Sequence, residues 1–288
     1  MNKKYLITGG QGFIGNKIVK KTGGISFDIK SGLDILNRKK LEKAIKCSSG
    51  IFHCAAKISV SESFIKKDIY KNINVDGTKN VSEIGEKYSL KVVFSSSAAI
   101  YGESSNKLNE FDKLNPKSPY AENKRDAENI LSKSTVPSII LRYFNVYGPC
   151  QSIEYAGVIT NFILKALKDE NLNIYGNGKQ TRDFIFIDDI IEANIKAMKY
   201  KNSSLEIFNI GYGKGITIEN LARIILKLTD SKSKIIHLPP RDGDIIHSLA
   251  DISKAKKLMD WKPKITLEKG LMKTIEWYRK SQKQKMPK

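Results

Sequence analysis

The chain has 288 residues, 40% of them hydrophobic and 28% charged, with 50 Lys and Arg against 30 Asp and Glu for a net charge of +20. That length supports a full core as one large or two modest domains, and no apolar run approaches the roughly 18 residues of a membrane span. Cys47, Cys54 and Cys150, like the three histidines, show no metal-ligand spacing, which argues against a metal centre and for reduced thiols in a cytosolic protein. Met1 to Tyr5 run straight into the first strand, leaving no room for a signal peptide. The basic surplus is scattered, and its compact part is the tail at 279–288. It reads as surface composition that also attracts an anionic substrate, with no nucleic-acid interface expected.

In chain order, Lys4-Tyr5-Leu6-Ile7-Thr8 forms a short strand, followed by Gly9-Gly10-Gln11-Gly12-Phe13-Ile14-Gly15 and the apolar-spaced Ile18 and Val19 of a helix. Glycines at 9, 12 and 15 allow a tight turn and close approach to a pyrophosphate at the helix amino end. Asp28 closes the next strand about twenty residues on, where an acid accepts from the adenosine ribose hydroxyls. Further strands are expected near 50–54, 91–96 and 139–144, with helices near 38–46, 68–88 and 120–132. This alternation predicts a Rossmann-type, doubly wound parallel sheet. Only five residues separate Asp28 from Asp34, so the sheet is expected to be trimmed at that edge.

Beyond Gly148-Pro149 the pattern becomes irregular. Strands near 172–175, 183–187, 205–210 and 235–237 mix with helices near 158–168, 188–199, 218–229, 253–259 and 267–280. A smaller mixed α/β lobe is expected, with some segments returning to the sheet. The division read from the sequence is a dinucleotide-binding domain of 1–146 plus about 184–212, and a substrate lobe of 147–183 plus 213–288.

Tyr120 and Lys124, four apart on a helix, share one face. A tyrosine beside an ammonium group is a poised phenolic base, and Ser95-Ser96-Ser97 ends the apolar run at 91–94 upstream. Joined to a dinucleotide loop, the pair can remove a hydroxyl proton while hydride leaves the same carbon. A Tyr-x-x-x-Lys pair alone is more often only a helix surface.

Other stretches carry more. They are Phe52-His53-Cys54-Ala55-Ala56, the run Asn72-Ile73-Asn74-Val75-Asp76-Gly77-Thr78, and Leu-Arg-Tyr-Phe-Asn-Val-Tyr-Gly-Pro at 141–149. Ile-Tyr-Gly-Asn-Gly-Lys-Gln-Thr-Arg-Asp-Phe at 174–184 and Arg241-Asp242-Gly243-Asp244 complete the set. Together with the glycine loop, they resemble the extended short-chain dehydrogenase/reductase superfamily in its nucleotide-sugar epimerase/dehydratase branch. Within it, the chain looks most like the UDP-glucose and UDP-N-acetylglucosamine 4-epimerases. The resemblance spans nearly the whole chain.

The resemblance implies NAD as cofactor, contacted by Gly9, Gly12, Phe13, Ile14, Gly15, Asp28, Asp34, Ile35, Ala55, Ala56, Lys57, Asn74, Ser95, Tyr120, Lys124 and Tyr143. Ser97, Tyr120 and Lys124 would be catalytic. On the substrate side it implies Ser97, Asn145, Val158, Tyr175, Arg182, Arg241, Asp244 and Ser248. Asn145, Arg182 and Arg241 would meet the diphosphate, Tyr175 the base and Asp244 the ribose. Ser248 would line the pocket near the sugar C2 substituent. Lys57 stands where many relatives have glutamine, and Cys150 where many have arginine. A homodimer through the helices near 68–88 and 120–132 is implied as well.

Relatives that dehydrate place an Asp-Glu pair after the catalytic hydroxyl, and decarboxylases keep the glutamate. Here those positions are Ala98 and Ala99, which have no proton to give. The expectation is therefore reversible C4 epimerisation of a UDP-hexose: UDP-glucose/UDP-galactose, and UDP-N-acetylglucosamine with its galacto epimer. In that scheme Lys124 and the nicotinamide lower the pKa of Tyr120. The alternatives are a UDP-glucuronate 4-epimerase, an NAD(P)-dependent 4-ketoreductase and, more distantly, a nucleic-acid-binding protein on the same fold.

Overall fold

The computed structural model describes residues 3–104, 106–154, 157–201, 204–240 and 245–283. Its centre is a six-stranded, all-parallel sheet of β1 (Lys4–Thr8), β2 (Ile25–Phe27), β3 (Ser48–His53), β4 (Val92–Ser97), β5 (Ser138–Tyr143) and β9 (Glu206–Ile210), ordered β2-β1-β3-β4-β5-β9. All six residues of β5 are buried, as expected of a parallel strand covered on both faces.

Alternate residues of each strand feed opposite cores. Ile7, Val93, Ile139 and Leu141 face one apolar cluster with Ile18 of α1 (Phe13–Thr22) and Ile190 of α8 (Ile187–Lys199). Leu6, Val92, Phe94 and Ile140 face the other, with Leu41 of α2 (Arg38–Lys46), Val81 of α5 (Gly77–Lys87) and Ala127 of α6 (Pro119–Lys133). The sheet is thus doubly wound. It is also trimmed as expected, since a single 3-10 turn, Ile29–Ser31, leads from β2 toward α2. Strand order reverses about β1, which opens a crevice at the carboxyl ends of β1 and β3.

The helix read at 68–88 is three segments: α4 (Lys67–Lys71), a π-helical turn Asn72–Asp76, and α5. A preceding helix, α3 (Val60–Ile65), was not read from the sequence; at six residues it is too short to show a period.

The second lobe has two small sheets. β8 (Thr181–Phe186) pairs with β6 (Asn145–Tyr147), β10 (Gly215–Thr217) and β12 (His247–Ser248), while β7 (Leu172–Tyr175) pairs with β11 (Ile235–Leu238). Around them pack α7 (Val158–Ala166), α9 (Ile218–Thr229), α10 (Ser253–Met259) and α11 (Leu267–Lys283). The segment read at 183–187 therefore joins the lobe's sheet as β8, whereas β9 returns to the main sheet. Among the described residues, no helix is long and apolar enough to cross a membrane.

Candidate active site

The glycine loop lies at the crevice. Gly9 has φ +66°, and a Cβ there would sit 2.8 Å from the Ala55 backbone. A Cβ on Gly15 would meet the Gly9 carbonyl oxygen at 2.1 Å, so any side chain would push the helix off the loop. Gly12 begins α1 without a side-chain cap, leaving the first-turn N–H groups of Phe13, Ile14 and Gly15 for an anionic group.

Asp28, buried at the end of β2, braces the loop. Its carboxylate accepts from the backbone N–H groups of Gln11 and Lys30, each at 2.9 Å. Asp34 accepts from the Leu36 N–H at 2.9 Å, and the buried Ile35 closes against Gly77. These residues fit the adenosine half of NAD.

Across the crevice, Asn74 clamps Lys57. Its Oδ1 accepts from the Lys57 N–H at 2.8 Å, and its Nδ2 donates to the Lys57 carbonyl at 2.9 Å. Both ends of the amide are thereby engaged with backbone, so Asn74 shapes the Ala55-Ala56-Lys57 wall.

A buried relay supports the same wall. The Thr78 hydroxyl donates to the Asn74 carbonyl at 2.7 Å and therefore accepts from His53 Nε2 at 3.0 Å. His53 Nδ1 in turn accepts from the Thr8 hydroxyl at 2.7 Å, and Thr8 receives the Ala55 N–H at 3.3 Å. One hydrogen per hydroxyl fixes this single tautomer. Burial, with the nearby Lys124 ammonium, pushes the His53 pKa down to about 3, so the relay stays neutral. The sequence displays His53 and Thr78 but gives no sign that they meet.

The three catalytic candidates converge. Ser97 ends β4, its Oγ accepting from the Ala99 N–H at 3.2 Å to start the 3-10 turn Ala98–Tyr101. Ser118 caps α6 by accepting from Ala121 N–H at 3.2 Å, and Pro119 occupies its first position. Tyr120 follows, buried, its N–H donating to Ser63 of α3 at 3.2 Å and its phenol hydrogen-bonded with Ser97. Lys124 donates to the Ser95 carbonyl at 2.7 Å and lies 4.8 Å over the Phe94 ring. Beneath them a buried ion pair joins Arg142 Nη2 to Glu128 at 2.7 Å, with Ser96 also hydrogen-bonded to Glu128.

Burial raises the Tyr120 phenol above its usual value, and the Ser97 hydrogen bond offsets only part of that. Burial also lowers Lys124 to about 8. Ser95 reaches Tyr143 at 3.2 Å and Cys54 at 3.3 Å, while Tyr143 donates to Asn194 at 3.0 Å. Burial holds the Cys54 thiol up at about 11, an unreactive state. Ala98 is buried, and neither Ala98 nor Ala99 brings an acid to the site.

On the substrate side, Asn145 starts β6 and donates to the Asp183 carbonyl at 2.9 Å. Arg182 of β8 stands in register with Ser248 of β12, and Ser248 is only 9% exposed. Val158 opens α7 and Tyr175 ends β7, both half-buried. Arg241 and Asp244 lie outside the described residues. Among the described residues, no group of three or more His, Cys, Asp or Glu could hold a metal ion.

Residues 5–211 match the model of the NAD dependent epimerase/dehydratase family. A UDP-glucose 4-epimerase from Thermotoga maritima, solved with UDP-glucose, superposes with a TM-score of 0.90 at 31% identity, covering 96% of this chain and 99% of that one. A UDP-N-acetylglucosamine 4-epimerase from Methanobrevibacter ruminantium M1, in complex with UDP-N-acetylmuramic acid, gives 0.89 at 33% identity over 97% and 99%. A UDP-N-acetyl-alpha-D-glucosaminuronate decarboxylase from Bacillus cytotoxicus is 33% identical over 97% of this chain and 98% of its own.

Proposed function

The chain belongs to the NAD dependent epimerase/dehydratase family, with NAD as its cofactor, and from that premise we propose that it is a 4-epimerase of UDP-hexoses. The observation that carries this reading is the convergence of Ser97, Tyr120 and Lys124 beside a turn whose two positions, Ala98 and Ala99, hold no acid. Elimination and decarboxylation in this family draw on an acid there, while inversion needs only one proton taken and returned.

Bound at the glycine loop, NAD supplies the acceptor and later the donor of the C4 hydride. Tyr120 takes the proton of the sugar 4-hydroxyl, and Ser97 holds the same oxygen by a hydrogen bond. Lys124 contributes positive charge that favours the phenolate once the alcohol is in place. Tyr120 gives the proton back after the 4-keto sugar has turned its other face. Asn145, Arg182 and Arg241 would fix the diphosphate through this turn, and Tyr175 and Asp244 the nucleoside.

In this reading Ser248 admits N-acetylated sugars beside UDP-glucose, because a small residue there would leave volume near the C2 substituent; its burial and its register with Arg182 support that place. We read the assembly as a cytoplasmic homodimer through the helices at 68–88 and 120–132. The exposed Ile69 lies on the first of these and the exposed Ile65 just before it, at 47% and 83%.

Incubation with UDP-glucose, UDP-N-acetylglucosamine and UDP-glucuronate in separate reactions, followed by NMR, tests the proposal. Inversion at C4 of either of the first two is the expected result. Carbon dioxide release from the glucuronate, or NADH accumulating in solution with each turnover, would replace epimerisation by decarboxylation or ketoreduction.

A further inference from the structure

Asp183 is fully buried. Its carboxylate is saturated by backbone: Oδ1 accepts from the Tyr212 N–H at 2.6 Å, and Oδ2 from Gly213 at 2.9 Å and Ala250 at 3.2 Å. Its own carbonyl accepts from Asn145 at 2.9 Å. Successive N–H groups of a glycine-rich turn form a nest that suits an anion, and here the anion is internal. A Cβ on Gly211 would come within 2.8 Å of Oδ2, so this close approach depends on glycine there.

These bonds connect the segments that carry the substrate residues. Asp183 follows Arg182 in β8, Ala250 lies two residues after Ser248, and Asn145 is held through the Asp183 carbonyl. We propose that Asp183 is the positioning residue of the nucleotide-sugar pocket, its ionised carboxylate setting β12 and the 211–213 turn against the strand that bears Arg182. The inference rests on the proposed function for what the pocket binds, but not for the clamp itself.

The charge state separates this role from a purely structural one. Burial raises Asp183 to about 6 despite three N–H donors and the nearby Lys107. A carboxyl with a raised folded-state pKa holds its proton more tightly when folded. Its protonation therefore favours the fold as pH falls from 6 toward 4, while turning one acceptor oxygen into a donor that faces N–H groups. Lys107 is the charge that bears on this carboxylate; Arg182 precedes it on the same strand, Asp251 follows the clamped Ala250 under the same Lys107, and His247 on β12 hydrogen-bonds to Thr181 at 2.8 Å.

The test uses the full-length holoenzyme and UDP-glucose, whose phosphates stay ionised over this range. For Asp183→Asn, the expected result is a rise in KM of about tenfold or more that exceeds the loss in kcat, with NAD still retained. Wild-type affinity should weaken about tenfold from pH 7 to pH 5 with the fold intact. The same acid limb should persist in His247→Gln and vanish in Asp183→Asn. Amide hydrogen exchange at Tyr212, Gly213 and Ala250 should quicken in Asp183→Asn, with β4 and β5 amides unchanged. Unchanged exchange at those three amides overturns the clamp whether or not UDP-glucose binds. A variant that loses melting temperature but keeps wild-type affinity and its acid limb overturns the positioning role. Failure of wild-type protein to bind any UDP-sugar would instead overturn the proposed function, leaving the exchange result to decide the clamp.

Discussion

The Lys124 ammonium donates to the Ser95 carbonyl at 2.7 Å, so this charge, one helical turn from Tyr120, is anchored to the strand that ends in Ser97. One hydrogen bond thus ties α6, which carries Tyr120, to β4, which ends in Ser97. One helical turn further on, Glu128 ties α6 to β4 again through Ser96 and to β5 through Arg142.

Replacing Tyr120 by Phe should remove nearly all turnover and leave NAD binding and fold intact, since the phenol supplies the base and little of the packing. Loss of general base catalysis is expected to cost about 10²–10⁴-fold. Steady-state rates with the NMR-identified substrate measure this. Retention of more than about a tenth of the activity would assign proton removal to another group.

Lys124 gives a pH dependence of defined sign. Burial lowers its pKa to about 8, so the fold favours the neutral amine. Stability should therefore rise as pH climbs from 8 toward the unfolded lysine value. Activity should fall over the same interval, because the ammonium that favours the phenolate is lost. Thermal melts and kcat/KM profiles taken together check this. A Lys124→Met variant should lose the stability increment, and an unchanged increment would attribute it to another residue.

Much of this site was legible because its signals are local. Gly9, Gly12, Gly15 and Asp28 lie within one βαβ unit, and Tyr120 and Lys124 share a helix face. What stayed hidden depends on contacts between distant segments. The Thr8–His53–Thr78 relay joins residues up to 45 apart, and Asp183 meets Ala250 across 67. Strands β10 and β12, of three and two residues, carry no period of their own and exist by pairing with β8. Helical spacing put Lys124 beside Tyr120 but gave no sign of the Ser95 carbonyl that receives its ammonium.

Glu128→Gln should destabilise the protein by about 3–5 kcal/mol, because it leaves the Arg142 guanidinium buried without its counter-charge. Both side chains are nearly inaccessible, at 4% and 5%. Urea unfolding at neutral pH gives the number. A loss below about 1 kcal/mol would mean that Arg142 finds enough compensation in its bonds to Tyr101 and the Glu110 carbonyl.

NAD should be retained in strong preference to NADP. The Asp28 carboxylate, already fixed by the Gln11 and Lys30 N–H groups, cannot swing away from a 2′-phosphate. Mass spectrometry of the ligand released on denaturation decides between them. A predominance of NADP would show that Lys30, in the Ile29–Ser31 turn, outweighs the carboxylate.

In the proposed reading, sugar choice rests on Ser248 and on the room a small side chain there would leave at C2. Its place on β12, in register with Arg182 and 9% exposed, rules out a freely solvated loop residue. A small side chain there leaves room for an N-acetyl group at C2, and a large one would fill it. Ser248→Tyr is therefore expected to lower kcat/KM for UDP-N-acetylglucosamine by about 10–200-fold through overpacking, while UDP-glucose suffers much less. Parallel assays of both sugars, with melting temperature as the control for packing damage, separate the outcomes. Equal losses on both sugars would place Ser248 in the architecture of the lobe and not at the C2 pocket. No loss on either would move the gate to another residue.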